Sequence, residues 1–170
     1  MSPLAPVADR SPPLIENDVM ASIEQTMMKV QRILTGPMGL RVTLDKDRFR
    51  VSFEGSSTAL MVRVAELGKG SDGEGRTVVL VESPILFGVT PTPELFEWVA
   101  RNGGSRWFGH IEVHDIKGSD NINLFFTHTL LGDFLDHPEL ETAMFGVLQV
   151  ADEWDDQLQA RFGGEKWADV

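Results

Sequence analysis

From Thr127 to Gly164 the chain reads THTLLGDFLDHPELETAMFGVLQVADEWDDQLQARFGG, with Leu140, Met144, Val147, Ala151, Trp154 and Leu158 recurring at steps of four and three. That spacing puts six apolar side chains on one face of a long helix, which then needs an apolar surface to lie on. Asp136 is placed to cap the helix, Pro138 to open it, and Gly163 with Gly164 to end it. Asp152, Glu153, Asp155 and Asp156 are expected on its outer side, facing water or a basic partner.

The preceding segments supply a sheet. Ile23, Met27, Val30 and Leu34 form the stripe of a first helix, capped by Asn17 or Asp18 and stopped by Gly36 and Pro37. Leu40, Val42 and Leu44 alternate, Asp45 to Asp47 turn the chain, and Phe49, Val51 and Phe53 alternate again. This predicts a hairpin. Ala59–Leu67 and Arg76–Val81 follow as strands around the glycine-rich loop GKGSDGEG, and Ser83–Val89 reads as a turn region. Thr92 and Pro93 then start a short helix that Gly103 and Gly104 end, with Leu95, Trp98 and Val99 on one face.

A second hairpin is expected from Trp107–Asp115 and Asn121–Thr129. Pairing Val113 with Ile122, Ile111 with Leu124, Gly109 with Phe126 and Trp107 with His128 puts every apolar residue on one face. The order α-β-β-β-β-α-β-β-α has no strand-helix alternation that would demand a parallel sheet. An α+β fold is therefore expected, an antiparallel sheet packed with helices. Residues 1–16, rich in proline, read as a disordered tail, 17–164 as one domain and 165–170 as a flexible tail.

Composition narrows the function. Fifteen Lys plus Arg against 26 Asp plus Glu give a net charge of -11, which repels nucleic acid and anionic membranes and favours encounter with basic polypeptides. There is no cysteine, hence no disulfide or thiolate chemistry. No window is apolar enough for a membrane span and the start does not resemble a secretory signal, so a cytoplasmic location is expected.

Three constellations imitate chemistry. GKGSDG, Gly68–Gly73, matches a dinucleotide fingerprint but leads into a strand, so no helix N-terminus waits for a phosphate. His110, Glu112 and His114 share a strand face, yet about 14 Å separates the two histidines along the backbone, and a polar outer face is the simpler reading. Asp152 and Asp156 sit one turn apart in water, where neither carboxyl is tuned for acid or base work. His128 is expected to point inward as a hydrogen-bonded histidine. No nucleophile elbow, HExxH pair or Walker sequence occurs, so the residues imply no enzyme, cofactor or metal.

HTLLGD at His128–Asp133, the AxEWDDxL spacing at Ala151–Leu158 and ARFGG at Ala160–Gly164 resemble the YbjN-like chaperone domains of actinobacteria, grouped with the type III secretion chaperones. The resemblance implies a non-catalytic domain that binds an extended or partly unfolded polypeptide. It also implies a homodimer through the middle helix, at Leu95, Trp98 and Val99. Met20, Met27, Met28 and Trp154 are candidates for partner binding, because methionine repacks against varied surfaces and tryptophan anchors interfaces. Core filling is the commoner role of such residues. A second mode is backbone pairing at a sheet edge, with the strands containing Ala59 and Thr129 as candidates. A regulatory protein with one fixed partner, a small-molecule-binding protein and a small enzyme stay open as alternatives.

Overall fold

A computed structural model describes residues 22–52 and 59–169. The elements are α1 (Ile23–Thr35), β1 (Val42–Asp45), β2 (Arg48–Ser52), β3 (Ala59–Lys69), β4 (Gly75–Val89), α2 (Pro93–Asn102), β5 (His110–Asp115), β6 (Ile122–Leu131), α3 (His137–Phe162) and a final 3-10 turn at Trp167–Asp169. The strands form one antiparallel sheet in the order β1-β2-β3-β4-β6-β5. The fold is α+β, with the expected order of elements.

Register decides which face carries the core. Phe49 pairs with Val62, Val62 with Val81, and Val81 with His128, so Val62, Val64, Val79, Val81, Leu124, Phe126 and Leu130 share one face. All three helices gather there. The α3 seam is buried throughout, and the Trp154 ring meets those of Phe126 and Trp98 edge-on at 5.4 Å. The last contact seats α2 on α3.

α1 begins one residue after Ser22, whose hydroxyl accepts from the Gln25 amide while the Gln25 side chain takes the Ser22 amide, a reciprocal capping box. The expected caps, Asn17 and Asp18, lie outside the described residues, as do Met20, Phe53 and the proline-rich segment. The stripe of α1 is rotated from the expected one: Ile23 is exposed, while Thr26, Val30, Ile33 and Leu34 are buried. Thr26 belongs inside because its hydroxyl meets that of Thr77 at 2.9 Å.

Three local expectations are corrected. Ser83–Val89 is not a turn region but the second half of β4, with register shifts at Pro84–Leu86 and Leu86–Val89. Pro84 is tolerated because among the described residues the β3 ladder ends at the Met61–Glu82 pair, and the Ala59 carbonyl takes the Ser83 hydroxyl at 2.8 Å instead of a backbone N–H. The β5–β6 pairing is two residues away from expectation, with Val113 opposite Leu124 and Ile111 opposite Phe126. A slip of two preserves the faces, so the apolar pattern could not detect it; the turn occupies Ile116–Asn121, with Ser119 N–H donating to the Ile116 carbonyl at 3.0 Å. Finally, the strands containing Ala59 and Thr129 are interior, and the sheet edges are β1 and β5. The outer edge of β5 is met at Ile111, whose N–H donates to the Gly103 carbonyl at 3.2 Å.

Segment 165–169, read from the sequence as part of a flexible tail, lies against the sheet. Glu165 and Phe87 exchange two backbone hydrogen bonds, at 2.8 and 2.9 Å.

Candidate functional site

α3 has a second stripe beside its core seam. Thr142, Phe145, Gly146, Gln149, Val150 and Glu153 recur at steps of three, one, three, one and three, which is one face of a helix. Arg106, Trp107 and Phe108 lie along this face, and together the nine residues line an open groove of about 430 Å³.

The wall opposite α3 is pinned in several places. The Phe108 ring sits on Gly146, where a Cβ would come within 3.2 Å of it, so the bare glycine makes the seat. The same ring meets the His128 ring edge-on at 5.2 Å. Gly109, at φ 75°, donates its N–H to His128 Nδ1 at 3.1 Å, and a side chain at position 109 would strike the Thr127 carbonyl at 2.4 Å. The Arg106 guanidinium pairs with Glu153 and lies 5.3 Å from the centre of the Trp154 ring. Between these anchors Trp107 points outward, 99% exposed, and Phe145 stands across the groove at 58%. Trp107 is therefore not the inward strand residue its alternation suggests.

His128 is half-buried. Burial of the ring, and then the neighbouring His110, push its pKa below the ordinary 6.5, while Glu139 pulls the other way. Neutral, it can accept from Gly109; protonated, it would carry a hydrogen on both ring nitrogens. It acts on the groove through Phe108 and Gly109. The groove itself offers no acid-base machinery: its ionisable side chains, Arg106 and Glu153, pair with each other, and the Thr142 hydroxyl donates to the Pro138 carbonyl at 2.7 Å.

The sequence-derived site residues fall elsewhere. Trp154 is 3% exposed, a core residue beneath Arg106. Met27 is half-buried against the core, and Met28 stands 51% exposed on α1. Leu95 and Trp98 are buried within the molecule, Val99 is half-buried, and Phe96 is an exposed large hydrophobic side chain of α2. Asp155, expected in water, is 1% exposed. Its place one turn from both Ala151 and Leu158, flanking the seam, is the signal that the charge pattern hid. His110 and His114 reach Glu112 from its two sides, at 3.2 and 2.9 Å, so their tips converge where the backbone spacing kept them apart. Even so, no group of three or more ligands placed to hold a metal occurs among the described residues. The expected hairpin loop is shorter than its glycine-rich run: Gly68 and Lys69 end β3, Gly75 begins β4, and residues 70–74 turn between them, closed by Gly70 N–H to Glu74 O at 2.8 Å.

None of the curated proteins compared with the chain matches it. The model of the family described as T3SS (YopN, CesT) and YbjN peptide-binding chaperone 1 matches residues 24–170, from the first turn of α1 through the segment beyond α3, and the chain belongs to that family.

Proposed function

We propose that this protein is a non-catalytic chaperone or adaptor that holds an extended, apolar segment of a polypeptide client in the groove between α3 and residues 106–108. The observation that carries this reading is the pair of exposed aromatic rings, Trp107 and Phe145, on opposite sides of a groove whose walls are otherwise packed and pinned. Exposed apolar side chains that gather along one groove, unlike those scattered singly, mark an interaction site, and aromatic anchors carry much of the affinity at interfaces. Family membership supports a peptide as that partner. The net charge of -11 favours clients that are basic around their apolar core.

The test is selection of a displayed random peptide library on the intact protein, in parallel with Trp107→Ala/Phe145→Ala. Both side chains are exposed, so the double variant keeps its fold. Enrichment of apolar, basic sequences by the wild type and loss of that enrichment in the variant is the expected result. Identical enrichment by both proteins, or none by either, would remove the groove as the binding site.

A further inference from the structure

The segment after α3 pairs with the second half of β4. Among the described residues the last β3–β4 backbone pair is Met61–Glu82, with Ser83 Oγ donating to the Ala59 carbonyl at 2.8 Å, and the N–H and C=O of Phe87 lie beyond it. Glu165 pairs with both, as an added strand would. Two left-handed glycines bring it there: Gly163 at φ 72° and Gly164 at φ 91°, where a Cβ on Gly164 would meet Val89 Cγ2 at 2.8 Å and the Phe87 carbonyl at 2.9 Å.

The next two residues fill side-chain positions. Lys166 Nζ donates to Asp156 Oδ1 at 2.6 Å, and this hydrogen bond raises its pKa further above the ordinary 10.5. Trp167 lies between the Arg50 guanidinium, 5.5 Å from the ring centre, and the Phe87 ring at 6.2 Å. Phe87 meets Phe125 edge-on at 6.0 Å, and Phe125 stacks on His114 at 4.7 Å. By register Arg50, Phe125 and Glu112 lie on the face turned away from the helices. A row of the Arg50 guanidinium and four rings, Trp167, Phe87, Phe125 and His114, thus crosses that face from β2 to β5, and Trp167 is the member supplied from outside the strands.

We propose that the β4 edge at Phe87, with the ring slot beside it and Asp156 above it, is a second peptide site, for an extended segment that carries a basic residue directly before an aromatic one. The chain's own Glu165–Lys166–Trp167 occupies it in the manner of a ligand and must be displaced for a client to enter. This site shares no residue with the α3 groove. A segment tethered to its own site competes at an effective concentration of the order of mM, which masks the site from free peptide of modest affinity.

The probe is a fluorescein-labelled peptide GGEKWADV, identical to residues 163–170, titrated by anisotropy into the full chain. Two opened variants are compared with wild type: Gly164→Ala, which obstructs docking of the segment, and Lys166→Ala/Trp167→Ala, which strips its contacts; both leave Phe87, Arg50 and Asp156 in place. Circular dichroism checks the fold and amide exchange at Phe87 reports release. Expected is fast exchange at Phe87 in both variants, binding at least about tenfold tighter than to wild type, restored protection when peptide is added, and no binding of a Lys-Trp to Ala-Ala peptide. Released variants that bind no tighter than wild type would overturn the proposal, as would Phe87 protection unchanged by either variant.

Discussion

At the residue scale, the motif that carries the family resemblance is architectural. His128 accepts from Gly109 and so fixes the groove wall. Gly132 donates its N–H to the Thr77 carbonyl at 2.9 Å and has no room for a side chain, since a Cβ would lie 2.4 Å from Thr77 Oγ1. Asp133 accepts from the Thr77 hydroxyl at 3.2 Å, and its carbonyl takes Lys29 Nζ at 3.3 Å, tying α1 to the turn before α3. A pH dependence follows from His128. Its folded pKa lies below the unfolded 6.5, so between the two values the unfolded chain binds more protons, and stability falls as pH drops through 6.5 until the folded value is passed. Burial of the ring sets the direction of this shift, with His110 adding to it and Glu139 opposing it. His128→Gln keeps an acceptor that does not titrate. Urea unfolding at a series of pH values should show a shallower decline below about pH 6.5 in this variant than in wild type. Parallel curves would mean that His128 does not contribute.

At the element scale, α3 presents two faces, one to the core and one to the groove. Its seam of Leu140, Met144, Val147, Ala151, Trp154 and Leu158 was legible because its period is regular and every member is apolar. The second stripe was not, because it mixes Phe145 and Val150 with Thr142, Gln149 and Glu153, and half-polar stripes read as solvated surface. Only the partner segment at 106–108 makes it a groove wall. The β4 extension was hidden by Pro84, which normally argues against an interior strand, and the two-residue register slip by the period of the strand itself. Trp154 and Phe145 distinguish the two faces. Trp154→Ala removes the ring under Trp98, Phe126 and Arg106 and should cost roughly 3–5 kcal/mol in denaturant unfolding. Phe145→Ala, on the exposed stripe, should cost under about 1 kcal/mol yet weaken peptide binding. Equal losses of stability would place Phe145 in the core.

At the scale of the whole molecule, helices cover one face of the sheet, and the potential binding features lie at its margins. The α3 groove meets β6 through Phe108 and His128, and the Phe87–Glu165 pair lies beyond the last described β3–β4 pair. Element order and fold class were legible because each element has its own period and its own breakers. The sites were not, since each depends on residues distant in sequence: Gly146 with Phe108, Phe87 with Glu165. Among the described residues no helix is long and apolar enough to cross a membrane. The most direct test of the central claim places a photocrosslinking benzoylphenylalanine at Phe145 in the groove and, separately, at Lys117 in the distant β5–β6 turn. Each protein is irradiated with a peptide enriched by library selection. The groove reading predicts a crosslink from position 145 that excess unlabelled peptide suppresses, and none from 117. Equal crosslinking from both positions, or from 117 alone, would contradict it.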